Sequence, residues 1–143
     1  MSAPRPVVVD TMAISALVNE QRDPDTARRY RQLVADRAVL VSFVTVGGMR
    51  YGAIRAGWGE LRARGLERSL SRVVVVQPDD ELIRTCASLR ARCERSGHAL
   101  GQKVHEADRW IAATAIRLGL ELVSDDAVFQ GVDGLIILRL RTG

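Results

Sequence analysis

His105-Glu106-Ala107-Asp108-Arg109-Trp110-Ile111-Ala112-Ala113-Thr114-Ala115-Ile116-Arg117-Leu118-Gly119-Leu120-Glu121-Leu122-Val123 changes its apolar period partway along. Ile111, Ala115 and Leu118 form the inward stripe of a helix, Gly119 is a stop signal, and 120–123 is a short apolar run with strand character. A helix passed by one glycine to a strand is the unit of an α/β fold, and the same alternation extends outward in both directions. Strand candidates stand at 7–9, 39–41, 73–76, 120–123 and 135–138, each short, apolar and bounded by polar or turn residues, and read as buried. Helical candidates fill 13–19, 25–36, 44–55, 59–70, 80–96 and 105–118. In the fifth of these, Leu82, Cys86, Leu89 and Cys93 recur at spacings of four and three, and Pro78-Asp79 supplies the start. The alternation predicts a mostly parallel sheet of about five strands, covered by helices on both faces and joined by right-handed crossovers. No repeat, linker or low-complexity tract interrupts it, so residues 1–143 are expected to form one domain.

Composition narrows the class. With 47% hydrophobic and 27% charged residues, a chain of 143 needs no disulfide or metal staple, and disorder is excluded. The longest apolar runs, four residues as at 73–76 and 135–138, fall far short of the ~20 residues of a membrane-spanning helix. Met1-Ser2-Ala3-Pro4-Arg5-Pro6 leads into Val7 without a secretory apolar segment, which makes a cytoplasmic location the expectation. Cys86 and Cys93 lie about two turns apart on one helix, too far to bridge, and read as reduced core thiols. The net charge is +4, and 20 of the 21 basic residues are arginine. That bias suits bidentate grip of phosphate or carboxylate, although a GC-rich genome produces it too.

In an open parallel sheet, functional groups collect outside the carboxyl ends of the strands. Asp10 follows Val7-Val8-Val9, and Asp125 and Asp126 follow Leu122-Val123-Ser124, so two strands deliver acids to one edge. The helix beginning at His105 runs antiparallel to the strand it feeds, which brings Glu106 and Asp108 to the same edge. The connection 97–104 is long enough, at ~3.3 Å per residue, to return the chain there. Each acid has a local use as well. Asp10 suits a helix N-cap, Glu106 and Asp108 suit a helix dipole, and Asp125-Asp126 suits a turn. Converging buried carboxylates repel, and a cation offsets that repulsion. Oxygen ligands favour Mg2+ or Mn2+, and with His98 and His105 as the only histidines there is no zinc spacing. Such a centre polarises a phosphoryl oxygen and activates water, the chemistry of phosphodiester hydrolysis. The basic remainder of the chain is suited to holding a nucleic-acid backbone. Trp58 and Trp110 read as packing residues before base-stacking ones.

These residues carry a family resemblance. Val7-Val8-Val9-Asp10-Thr11, Val44-Thr45-Val46-Gly47-Gly48-Met49-Arg50-Tyr51-Gly52, Asp108-Arg109-Trp110-Ile111-Ala112-Ala113-Thr114-Ala115 and Leu122-Val123-Ser124-Asp125-Asp126-Ala127-Val128-Phe129 together resemble the PIN-domain ribonucleases. Within them the likeness is to the VapC-type toxins of bacterial type II toxin–antitoxin pairs, and it covers essentially the whole chain. The resemblance implies a three-layer α/β/α PIN-like fold and an Mg2+-dependent (Mn2+ is an alternative) endoribonuclease toxin. It further implies a cognate VapB-type antitoxin, an RNA substrate and a homodimer. It makes Asp10, Asp108 and Asp126 the catalytic, metal-coordinating acids, with Asp126 preferred to Asp125 by its spacing to Phe129. Thr45 and Ser124 become polar neighbours, and Glu106 and Asp125 accessory candidates. It also exposes a departure. The family places a Glu on the helix after the second strand, where this chain has Gly48, and Met12 replaces a residue that is often small and polar. Loss of that carboxylate weakens cation binding, and each helical glycine costs about 1 kcal/mol relative to Ala. The expected consequence is a weakened or inactive nuclease.

The competing reading is a catalytically silent PIN-like module that binds antitoxin or RNA. Other carboxylate-edge folds fit less well. A phosphoacceptor receiver needs a Lys near the last strand, and Lys103 is the only one. A dehalogenase-like phosphatase needs an Asp where Met12 stands, and Asp10-Thr11-Met12-Ala13 is not a dinucleotide-binding glycine turn.

Overall fold

The computed structural model describes residues 4–140. The opening Met1-Ser2-Ala3 and the end of the expected 1–143 domain lie outside the described residues. Five strands, β1 (Val7–Val9), β2 (Val39–Ser42), β3 (Val74–Val76), β4 (Leu122–Val123) and β5 (Ile137–Leu138), form one sheet in the order β3-β2-β1-β4-β5. Every pairing is parallel, with Val8 opposite both Leu40 and Leu122. The helices are α1 (Thr11–Val18), α2 (Pro24–Leu33), α3 (Phe43–Arg55), α4 (Glu60–Leu70), α5 (Asp80–Ser96) and α6 (Glu106–Leu118). The expected α/β architecture is therefore present, and α5 has the bounds that the sequence pattern gives.

Successive strand residues face opposite sides of a sheet, and β1 divides its valines accordingly. Val8 joins Leu82, Cys86, Leu89 and Ile111 in the layer formed by α5 and α6. Val7 and Val9 join Ile14, Tyr30, Leu66 and Leu70 in the opposite layer, drawn from α1, α2 and α4. Helix α3 contributes to both, with Phe43 and Val44 on the first side and Val46 and Ala53 on the second. Residue 10 continues the parity of Val8, and Ser124 that of Leu122, so both follow the strand face covered by α6.

Two expectations of burial change. Val74 in β3 is 56% exposed and Ile136 beside β5 is 63% exposed, because both segments lie at sheet edges where only one neighbouring strand and incomplete helix cover are available. The 135–138 run contributes only Ile137–Leu138 to the ladder. Between α5 and α6 the chain makes two 3-10 turns, Ala99–Gly101 and Lys103–His105, in place of an extended connection. The guanidinium of the buried Arg109 holds these turns by donating to the carbonyls of Leu100 (2.7 Å) and Gln102 (3.1 Å). His98 Nδ1 accepts from Leu100 N, so its Nε2 carries the proton and donates to the Gln130 carbonyl at 2.7 Å. No helix among the described residues is long and apolar enough to cross a membrane.

Candidate active site

The chain builds outward from β1 through β2 to β3, then crosses back to lay β4 on the other side of β1. The crevice at the carboxyl ends of β1 and β4 is thus the topological switch point, where adjacent strands send their following segments in opposite directions. Asp10 sits there as the first residue beyond β1, its N–H still donating to Val123 of β4 at 3.1 Å. Because β1 runs directly into α1, Asp10 also becomes the N-cap: Oδ1 accepts from Ala13 N at 2.9 Å. Oδ2 accepts the Ser124 hydroxyl at 2.5 Å. The N-cap use read from the sequence and membership of the acidic centre are therefore both true, one for each oxygen.

Asp10 is buried, and its pKa is raised above the ordinary 3.8. Burial is the main cause. The hydrogen bonds from Ser124 and Ala13 oppose it, while the nearby charges of Asp126 and Asp108 reinforce it. Three acids from distant parts of the chain therefore share one electrostatic neighbourhood. Asp108 lies in the first turn of α6 and its Oδ2 meets His105 Nδ1 at 3.1 Å. Asp126 caps a 3-10 turn, Ala127–Phe129, through Val128 N at 2.9 Å, and its own N–H donates to Ser124 Oγ at 3.0 Å. Ser124 is the joint between β4 and both acids. Thr45, fully buried in the first turn of α3, shares a 3.0 Å hydrogen bond with Thr11 beside Asp10.

The accessory candidates divide. Asp125 is committed elsewhere, accepting from Tyr30 OH and from Leu140 N, each at 2.9 Å. It ties α2 and the segment after β5 to the β4 end, and with burial it pushes the Tyr30 phenol pKa up. Glu106 is exposed, and its charge is felt at Cys86 on α5. Gly48 is exposed one turn after Thr45 in α3, and a Cβ placed there meets nothing within 4 Å. Space for a side chain at 48 is present, and the carboxylate is not. Met12, the other departure, is 72% exposed and borders a recess of about 360 Å³ with Tyr30, Asp125 and Asp126.

Sequence reading passed over His105, Tyr30 and Thr11 as members of this neighbourhood. Only His105 had a local signal, its place three residues before Asp108 on a helical start. The donors around Asp10 are oxygens, the type that a hard cation such as Mg2+ or Mn2+ takes. Among the described residues, however, no three His, Cys, Asp or Glu side chains are grouped closely enough to hold an ion. The acids are neighbours without forming a complete ligand set.

A sequence model of the PIN domain matches residues 7–135. The chain is 32% identical over 104 residues to Ribonuclease VapC5 of Mycobacterium tuberculosis, spanning 71% of this chain and 73% of that protein. The solved VapBC-5 toxin–antitoxin structure from the same organism aligns with a TM-score of 0.66 at 28% identity, covering 96% of this chain and 99% of that one. VapBC2 of Rickettsia felis, solved with a promoter DNA fragment, aligns at 0.78 over 94% and 98% of the two chains, and at 19% identity this likeness concerns the fold. The parallel sheet with its acids at the β1/β4 switch point, and a family match that spans all five strand ends but the last, agree: the chain belongs to the PIN domain family.

Proposed function

We propose that this chain is a ribonuclease toxin of the VapC type that hydrolyses RNA phosphodiester bonds at Asp10, is neutralised by a VapB-type antitoxin, and pairs with a second copy of itself. The similarity to Ribonuclease VapC5 and to VapBC complexes supports the toxin role. The observation that carries the chemistry is Asp10: a carboxylate buried at the switch point, with its proton affinity raised by burial and by Asp126 and Asp108. A site arranged in this way favours a positive charge beside it.

Asp10, Asp108 and Asp126 are the residues that would hold Mg2+ or Mn2+, and they would have to draw closer together than they stand here to do so. Such an ion, when bound, polarises a phosphoryl oxygen and lowers the pKa of water. The chain's own contribution is positional. Ser124 fixes Asp10 Oδ2, the α1 amide at Ala13 fixes Oδ1, and the short turn after β4 aims Asp126 from the neighbouring strand. His105 holds Asp108 from the same helical start.

Gly48 leaves this set short of one carboxylate, so activity of the present sequence is expected to be weak or absent. A second reading follows from the same observation, namely a silent PIN-like module that binds antitoxin or RNA without cutting it. Incubation of total RNA with Mg2+ or Mn2+ separates the two when this chain and its Gly48→Glu variant are compared, each with an Asp10→Asn control. The expected outcome is cleavage by Gly48→Glu about 100-fold faster than by the Gly48 chain, abolished by Asp10→Asn. If neither form cuts RNA, the silent module is correct.

A further inference from the structure

The exposed side of α1 carries a trough that begins at the acidic centre and leads away from it. Met12 borders both the recess at Asp126 and a second recess of about 370 Å³ along α1 that includes Thr11, Ser15, Asn19 and Asp23, the last with its carboxylate accepting from Thr26. Asn19 and Arg22 border that second recess and also a larger one, about 680 Å³, between the end of α1 and helix α4. Three recesses therefore share walls in sequence. At 1.5 Å per residue, the eight residues of α1 separate their two ends by about 12 Å.

The far recess is basic. Arg22, Arg62, Arg68 and Arg72 line it, and all four are exposed. Among the described residues none of them forms an ion pair, whereas eight other arginines do. The one acid on the rim, Glu20, is taken by Arg31 at 2.7 Å. The Arg62 guanidinium lies 3.9 Å from the centre of the Trp58 ring, a cation–π contact that holds it at the wall of the recess. Arg68 and Arg72 also complement the carboxyl-terminal dipole of α4, but Arg22 and Arg62 have no such local use. Four unpaired guanidinium groups around one concavity repel one another, and an anionic chain relieves that repulsion.

We infer that this trough is a track for the phosphodiester backbone of the RNA substrate, running from Asp126 along α1 to Arg22, Arg62, Arg68 and Arg72. The inference rests on the ribonuclease reading for the identity of the substrate, and it names the residues that hold the strand away from the cut. RNA is favoured over an acidic protein segment because the basic recess leads, by way of the recess along α1, to the acidic one. A polyanion entering alone would be repelled from Asp10 and Asp126, whereas a substrate of a cation-dependent site is drawn across both.

The test is equilibrium binding of a fluorescent single-stranded 20-nucleotide RNA in EDTA, so that cleavage plays no part. The 143-residue chain is compared with Arg68→Gln/Arg72→Gln, with Arg22→Gln, and with Arg84→Gln/Arg95→Gln on α5 as an equal charge loss elsewhere, folding being checked by circular dichroism. The expected result is a loss of about tenfold for the track double variant and less than about twofold for the α5 pair. The slope of log affinity against log salt should fall by roughly 0.7 for each track arginine removed. Equal losses for the two double variants overturn the inference. So does binding of a Glu-rich 20-residue peptide that depends on these arginines when RNA binding does not, because the trough then receives a protein. RNA held by the track arginines with no cleavage by Gly48→Glu in Mn2+ leaves the track standing and removes the nuclease.

Discussion

At Asp10 one carboxylate serves the fold and the chemistry together, and the two uses conflict. Its oxygens accept from Ala13 N and Ser124 Oγ, both stabilising, yet burial and two neighbouring acids raise its pKa. A folded-state pKa above the unfolded value means that the folded protein holds the proton more tightly. The resulting stability is fully present below the unfolded value of 3.8 and is lost as pH rises through the folded value. Above that folded value, therefore, the ionised Asp10 is a net burden. Without divalent cations, Asp10→Asn should melt on the order of 3 °C higher than the native sequence at about pH 7.5, the gap closing towards pH 4. A variant that melts lower at neutral pH would show that the cap and the Ser124 bond outweigh the repulsion. Asp10 and Asp126 were legible as site candidates because each follows an apolar strand run directly. That Asp125 turns away to Tyr30 and Leu140 was not legible, since both partners lie far off in sequence.

At the scale of elements, glycine marks three different situations. Gly119 ends α6 in the left-handed conformation at φ 64°, where only a residue without Cβ is unstrained, and this is why the α6-to-β4 boundary could be read from sequence. Gly101 has an ordinary φ but no room: a Cβ there comes 2.7 Å from Glu94 N and 3.0 Å from the carbonyl carbon of Cys93. Both obstacles are α5 backbone and cannot swing aside, so Gly101→Ala should destabilise by about 1–3 kcal/mol in urea unfolding. An unchanged midpoint would mean that the 3-10 turns are free to shift off α5. Gly48 has neither constraint, and the open space above it allows substitution at no steric cost. Replacing it in α3 by Glu should raise stability by up to about 1 kcal/mol through helix propensity alone, measurable in urea without any cation. The edge strands show the opposite limit. Val74 and Ile136 look as apolar as any core residue, but their exposure depends on strand order, which no local pattern encodes.

Over the whole molecule, the two thiols report on integrity. Cys86 and Cys93 are free and buried between α5 and the sheet, and burial raises both pKa values, with the nearby Arg109 charge opposing it. Thiolate is the reactive form, so Ellman's reagent should be almost unreactive towards the native protein and should titrate both thiols once guanidinium unfolds it. Prompt reaction of either in native buffer would indicate that the α5 layer opens locally. The sequence by itself determined the alternation of helices and strands, the α5 stripe, the reduced thiols and the acids placed just after β1 and β4. Those features are set by period, by glycine stops and by adjacency along the chain. Only the tertiary structure decided which strands are neighbours, and hence that the charges of Asp108 and Asp126 bear on Asp10 while the Asp125 carboxylate is bonded to Tyr30 and Leu140. It also joined α1 to the arginines of α4 in one trough. The physical reason is that hydrogen-bond partners, solvent cover and charge proximity depend on distance in space, and across the β1/β4 switch point that distance has no counterpart in sequence separation.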